Sequence, residues 1–305
     1  MMIERAQAVH KSGYVALIGA PNAGKSTLMN QILGEKVSIT APKPQTTRNR
    51  ILGILTRPNW QLVFVDTPGI HDARDRFNQI LVDTALAALN EVDVLCFLVE
   101  VPTAGRVLDQ AIIEKIRPLG VPVVLVLNKI DRVRDKRDLL PIIDRYRGLL
   151  DLSAVVPVSA LLGDGVEDLL AEIVALLPEG PAYYPEDFLT DQPERFIVAE
   201  LVREKIFHLT QQEVPYAVAV TIEKFFEDPQ KNRIEIEATV HVERDSQKAI
   251  IIGKQGQMLK EIGKQARKDI EALLGCHIYL GLFVKVQRNW RKNPRLLAEF
   301  GYSAR

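Results

Sequence analysis

Two patterns of apolar and polar positions divide this chain. Over residues 1–178, short apolar runs alternate with stretches of helical spacing. The runs Tyr14–Ile18, Arg50–Thr56, Gln61–Val65, Val92–Val101, Val121–Leu127 and Ala154–Val158 read as strands, several of them buried on both faces. Helical spacing marks Thr27–Leu33, about Asp75–Asn90, Leu108–Ile116, about Asp138–Leu150, and a last stretch from Gly165-Val166 to near Leu177. Strands alternating with helices predict an α/β domain: a mainly parallel sheet with helices on both faces. The stretch Lys36–Arg48 is polar, and Pro42 and Pro44 disfavour helix and strand, so it reads as a loop.

The second pattern begins beyond a turn-rich connector, Pro178-Glu179-Gly180-Pro181-Ala182-Tyr183-Tyr184-Pro185 with Pro193 further on. We expect a first domain over 1–178, a linker over 179–194 and a second domain over 195–305. Arg195–Thr210 is an amphipathic helix. Val214–Phe226 and Arg233–Arg244 alternate apolar with polar, which suits strands with one buried face. Two helical segments flank Gly253-Lys254-Gln255-Gly256, and His277–Gln287 is a last strand. The predicted order is α-β-β-α-α-β.

Composition narrows the class. A 305-residue chain with 47% hydrophobic residues can fill two globular cores. No apolar run approaches the ~18–20 residues that span a bilayer. Met1–Gly13 lacks the apolar core of a signal peptide. Cys96 and Cys276 have no ligand-spaced neighbours and read as reduced, buried thiols, which suits the cytoplasm. His208, His241 and His277 likewise lack ligand spacing and read as structural. Net charge is zero, yet Gln247–Arg295 holds eleven Lys/Arg against three Asp/Glu, a local +8 that leaves −8 elsewhere. That asymmetry suggests a polyanion-binding face. The alternative is a solvated helix face.

The chemistry concentrates in Gly19-Ala20-Pro21-Asn22-Ala23-Gly24-Lys25-Ser26, followed by Thr27. It fits the phosphate-binding G-x-x-x-x-G-K-[ST] loop and lies between a strand and a helix, as the motif requires. Backbone N–H groups at a helix N-terminus converge on an anion there. Lys25 adds charge at the β/γ-phosphates, and the Ser26 hydroxyl can ligate Mg²⁺. Asp66-Thr67-Pro68-Gly69 ends a strand; Asp66 supplies the acidic partner for Mg²⁺, and Gly69 offers an N–H to a γ-phosphate. Asn128-Lys129-Ile130-Asp131 follows a buried strand and selects the base. Asp131 can accept from N1–H and the 2-amino group of guanine, donors that adenine lacks. Asn128 can contact the base edge, the Lys129 stem can pack on the purine, and Ser159-Ala160-Leu161 adds an N–H for guanine O6.

In this order, the motifs resemble a GTPase of the translation-factor-like class. Gly19-Ala20-Pro21-Asn22-Ala23-Gly24-Lys25-Ser26, Gln45-Thr46-Thr47-Arg48 and Asp66-Thr67-Pro68-Gly69 look like the TrmE-Era branch, and the Era family within it. The resemblance implies a switch threonine in the Thr46-Thr47 pair, with Thr47 favoured, that orders on γ-phosphate and Mg²⁺. Ile70 departs from the Ras-like pattern, in which a Gln often orients the attacking water. Slow intrinsic hydrolysis is therefore expected. Related GTPases with Asn in this loop hold K⁺, so Asn22 is a candidate K⁺ ligand.

Ile250-Ile251-Ile252-Gly253-Lys254-Gln255-Gly256 resembles the G-x-x-G loop of a KH domain, which clamps about four nucleotides. The element order matches the KH arrangement of the Era family, type II. Likeness then runs from about Lys11 to Tyr302. It implies binding near the 3′ end of 16S small-subunit ribosomal RNA and a role in 30S assembly. Candidate RNA contacts are Ile252, Gly253, Lys254, Gln255, Gly256, Lys260, Arg288, Trp290 and Arg291. Trp290 could stack on a base or anchor the last helix. A competing expectation is a GTP-dependent switch at an anionic membrane surface or a protein partner, since family members are also found at membranes. With no dimerisation motif, a monomer is the default.

Overall fold

The structure is a computed structural model, and it describes residues 9–70, 75–105, 107–228 and 233–302. The first part of the Met1–Gly13 stretch lies outside the described residues. The chain forms two compact units. One comprises Met1–Val37, Arg50–His71 and Val82–Asp191; the other comprises Ser38–Asn49, Asp72–Leu81 and Gln192–Arg305.

The first unit is built on a sheet. In chain order come β1 (Lys11–Gly19), α1 (Lys25–Leu33), β2 (Ile51–Arg57), β3 (Trp60–Asp66), α2 (Arg76–Ala87), β4 (Val94–Glu100), α3 (Val107–Ile116), β5 (Val123–Asn128), α4 (Leu140–Arg147), β6 (Ala154–Val158) and α5 (Val166–Leu176). The sheet order is β2-β3-β1-β4-β5-β6. Only the β2–β3 pair is antiparallel. Ile18, Val63, Leu95, Phe97 and Leu125 fill the core, which explains why these strands are continuous apolar runs. α4 starts at Leu140, not Asp138, because Pro141 fits the first turn of a helix and a 3₁₀ turn over Lys136–Leu139 precedes it.

Register brings the motif ends to one edge of this sheet. Leu17 lies opposite Asp66, Gly19 opposite Leu98, and Asn128 opposite both Glu100 and Val158. β1 sits between β3 and β4, where the strand order reverses. Open α/β sheets bind ligands at that point.

Most of the expected linker belongs to the first unit. Gln61 Oε1 accepts from the N–H of Tyr183 (2.7 Å) and Tyr184 (2.9 Å), and Leu189 O accepts from Ile54 N. These bonds give 179–191 a fixed path that composition alone did not suggest.

The second unit contains α6 (Glu194–Leu209), β7 (Ala219–Asp228), β8 (Arg233–Val242), α7 (Asp245–Ile252), α8 (Gln257–Leu274), β9 (Ile278–Val286) and α9 (Pro294–Glu299). Its sheet order is β7-β8-β9, antiparallel then parallel. β7 begins later than Val214 because Pro215 opens a 3₁₀ turn over Pro215–Ala217. α8 buries Ile262, Ala266 and Ile270 at four-residue spacing, one face of a helix. α6 is buried on a wider arc, including Glu200, Arg203 and Glu204. Among the described residues, no helix is long and apolar enough to cross a membrane.

Candidate active site and nucleic-acid face

The phosphate-binding loop leaves β1 and turns into α1 through Gly24. Its φ is +97°, and a Cβ there would lie 2.2 Å from Asn128 Nδ2, so the position requires glycine. Lys25 is buried. Its Nζ donates to Gly19 O (3.1 Å) and Ala20 O (3.2 Å). Burial lowers its pKa to about 8, against the pull of the Asp66 charge. Ser26 Oγ donates to Asp66 Oδ2 at 2.6 Å. A hydroxyl and a carboxylate this close form a hard-oxygen set of the kind Mg²⁺ takes.

The Asp66–Gly69 turn is pinned to the same edge. Thr67 Oγ1 donates to Leu17 O at 3.0 Å, a tie the sequence reading missed. A Cβ on Gly69 would lie 2.9 Å from Pro21 N and Cα, so only a glycine lets this turn close on the loop. Ile70 is 2% exposed and joins the main core. The position that often carries a water-orienting Gln is here a packing anchor. Asn22 adopts φ +66°, a left-handed conformation asparagine tolerates.

At the guanine end, Asn128 ties neighbouring loops together. Its side chain is buried; Nδ2 donates to Ala23 O at 2.7 Å. Its Oδ1 accepts from Ala160 N (3.0 Å) and Lys129 N (2.7 Å). Asn128 therefore ties the phosphate loop to the Ser159–Leu161 loop. Asp131 Oδ1 accepts from Ser159 Oγ at 2.7 Å. Lys129 Nζ lies 3.1 Å from the Glu100 carboxylate, which also meets Arg132 at 3.6 Å. Glu100 was not singled out, although a lone acid ending the apolar run of β4 was a readable signal. Ala160 is buried and Leu161 is exposed.

Thr46 and Thr47 lie in Ser38–Asn49, which belongs to the second unit. Thr46 Oγ1 donates to Lys43 O at 2.7 Å, and Thr47 is buried.

The G-x-x-G turn of the second unit is built as the motif suggests. Gly253 has φ +71°, and a Cβ would lie 2.6 Å from Met258 Cβ. Gln255 and Gly256 also have positive φ, and Gly256 leads into α8. Lys254, Gln255 and Lys260 are exposed, while Ile252 is half-buried. Arg288 is exposed, 3.6 Å from Asp245. Arg291 donates to Glu243 Oε2 through Nε (3.0 Å) and Nη2 (2.7 Å). Trp290 corrects the stacking expectation. It is fully buried, packs with Phe77, Phe300 and Tyr302, and its Nε1 donates to Ala217 O at 2.9 Å. Its ring is a core anchor and presents no face to a base.

His208 Nε2 donates to Thr40 O at 2.9 Å, and burial holds the His241 pKa down to about 4, with Lys285 adding to the shift. His277 is 93% exposed. Cys96 is buried, but Cys276 is half-buried at the turn before β9, so only one thiol matches expectation.

Comparisons with known proteins agree with this geometry. Residues 14–129 match the model of the 50S ribosome-binding GTPase family, and residues 213–291 match the KH domain. GTPase Era of Geotalea daltonii is 54% identical over 95% of this chain and 97% of that protein. The chain belongs to the Era GTPase family. GTPase Era of Syntrophus aciditrophicus is 51% identical over 96% of this chain and 95% of that protein. Among solved structures, Era in complex with MgGDPNP and nucleotides 1506–1542 of 16S ribosomal RNA matches with a TM-score of 0.94 at 44% identity. That match covers 97% of this chain and all of the other. An Aquifex aeolicus Era variant bound to GDP.AlF4⁻ matches with the same TM-score at 43% identity, over 96% of this chain and all of the other. The two-domain GTPase-plus-KH reading thus covers nearly the whole chain, and the Era family's activity is GTP hydrolysis.

Proposed function

We propose that this Era-family GTPase is a GTP-driven switch that binds the 3′ end region of 16S ribosomal RNA and assists 30S subunit maturation. The observation that carries the reading is the joint presence of an assembled GTPase edge and a glycine-built G-x-x-G turn. An Era relative of the same two-domain form is solved with that RNA and a GTP analogue. Gly253, Lys254, Gln255 and Gly256 would bring the backbone against an RNA strand with Ile252 beside them, and Lys260 and Arg288 would add phosphate charge.

In hydrolysis, water attacks the γ-phosphorus, the bond to the β–γ bridging oxygen breaks, and GDP and phosphate leave. Lys25 and the loop N–H groups stabilise charge on the phosphates. Gly69 would offer its N–H to the γ-phosphate. Asp131 holds guanine, with its carboxylate oriented by Ser159. Ser26 and Asp66 would hold Mg²⁺, with Thr47, favoured over Thr46 by the family resemblance, as the candidate switch ligand. When bound, Mg²⁺ would supply charge neutralisation at the phosphates. Asn22 is the proposed K⁺ ligand; its amide oxygen is a hard donor and Ile70 supplies no polar group. Rates in K⁺ against Na⁺ at matched ionic strength test this, and equal rates remove K⁺ from the account.

The protein acts as a cytoplasmic monomer, with a peripheral fraction at anionic membrane. Binding of the 3′-terminal 16S sequence, with a non-hydrolysable GTP analogue or with GDP, tests the function. Absence of RNA binding in both states, with retention on anionic vesicles, would favour the membrane reading.

A further inference from the structure

Within the first unit, the base motif that follows β5 is held from both neighbouring strands. β5 lies between β4 and β6 in the sheet. On the β6 side, Ser159 Oγ donates to Asp131 Oδ1 at 2.7 Å. On the β4 side, Lys129 Nζ lies 3.1 Å from Glu100 Oε1. Register accounts for the second tie. Glu100 ends β4 opposite Asn128, the last residue of β5, so its carboxylate meets the next residue of the chain.

The backbone that carries Glu100 is fixed by the core. Val94 to Val99, which precede it in β4, are all buried. Beyond it, Thr103 Oγ1 donates to Glu100 O at 3.3 Å across the 3₁₀ turn Val101–Thr103. Gly105 N then donates to Asp109 Oδ2 (3.0 Å) and to Tyr146 Oη (2.9 Å). Tyr146 Oη donates to Asp109 Oδ2 at 2.8 Å, and both of these side chains are buried.

Lys129 is fixed at its two ends. Its backbone is left-handed, with φ +67°, a conformation that a non-glycine residue keeps only where its surroundings enforce it. Asn128 Oδ1 accepts from Lys129 N at 2.7 Å and holds that backbone. The four-carbon stem is a separate matter, because a lysine side chain loses much rotamer freedom on being ordered. Glu100 holds the far end of the stem before a ligand arrives, so less freedom is lost on binding. The Lys129 and Glu100 side chains are only 22% and 17% exposed, so this pair is screened less than an open surface pair. Arg132 is the outer partner, 3.6 Å from the same carboxylate oxygen and 60% exposed.

We propose that Glu100 is a positioning residue for guanine-nucleotide binding: by holding the Lys129 ammonium, it keeps the lysine stem in place for the purine face. This inference rests on Lys129 packing against the purine. Such packing is indifferent to the 2-amino group, which Asp131 reads.

The test uses the full-length protein with Glu100→Gln, Glu100→Ala, Lys129→Met and the double variant Glu100→Gln/Lys129→Met, each compared with wild type by thermal unfolding. Dissociation constants are measured for GDP and for IDP, which lacks the 2-amino group. We expect both Glu100 variants to weaken GDP binding at least about three-fold, and IDP binding by the same factor. In the Lys129→Met background, Glu100→Gln should change GDP affinity by less than about two-fold. A merely structural role would weaken binding equally in either background, and that result would overturn the proposal. So would folded Glu100→Gln and Glu100→Ala proteins that bind GDP like wild type while Lys129→Met is impaired. A loss for GDP that is absent for IDP also overturns it, because the effect would then run through Asp131. If Lys129→Met itself binds GDP like wild type, the Lys129 reading fails and takes the proposal with it.

Discussion

Asn128 Nδ2 donates to Ala23 O at 2.7 Å, so the base-selecting motif holds the phosphate loop by its backbone. With Oδ1 on Ala160 N and Lys129 N, one buried amide connects three loops. Asn128→Ala leaves these buried groups without partners, at about 1–3 kcal/mol each. GTP and GDP affinity should both weaken, by roughly ten-fold or more, because the tie lies in neither γ-phosphate nor switch. Titration with a fluorescent GDP and a fluorescent GTP analogue checks this. Loss for GTP alone contradicts it.

Lys25 makes nucleotide affinity pH-dependent. Its pKa in this protein is about 8, lowered chiefly by burial. Phosphate favours the ammonium, so the bound pKa lies above the free one. Binding then takes up a proton near and above pH 8, and affinity falls as pH rises through that range. Calorimetry at pH 8.5 in buffers of different ionisation enthalpy should detect the uptake, and Lys25→Met should abolish it while weakening binding.

The G-x-x-G turn should tolerate no side chain at its first glycine. In Gly253→Ala, a Cβ would meet Met258 Cβ at 2.6 Å in a left-handed backbone. RNA affinity should drop at least about ten-fold while GDP affinity stays near wild type. Polarisation of a labelled RNA and nucleotide titration on the same preparation separate the two.

Trp290 predicts a stability phenotype. Trp290→Ala removes a fully buried ring and should cost about 3–5 kcal/mol of unfolding free energy. Trp290→Phe keeps packing but strands Ala217 O, at about 1–3 kcal/mol. At temperatures where it is folded, Trp290→Phe should bind RNA like wild type, whereas Arg288→Ala should bind more weakly and with a shallower salt dependence. Denaturant melts and salt titrations read these effects.

The sequence made the α/β alternation and the nucleotide motifs readable because each loop is a local consequence of a strand end. The α-β-β-α-α-β order was readable for the same reason. What it hid depends on long-range partners. Nothing local reveals that the Asn128 amide meets Ala23 O, far back in the chain. Trp290 sat among cations, and only the fold shows it enclosed by Phe77, Phe300 and Tyr302. Lys36–Arg48 read correctly as a loop, but the hydrogen bonds from Arg48 to Val218 O and from Arg203 to Thr46 O were not visible in the sequence. Buried arginines look like surface arginines until their acceptors are in place.

The central claim is that nucleotide state controls the RNA-binding face, and one measurement tests it most directly. The full-length protein is titrated onto a labelled RNA carrying the 3′-terminal 16S sequence, once with Mg²⁺ and a non-hydrolysable GTP analogue and once with Mg²⁺ and GDP. The account predicts tighter binding with the analogue. Equal affinity in the two states would contradict it.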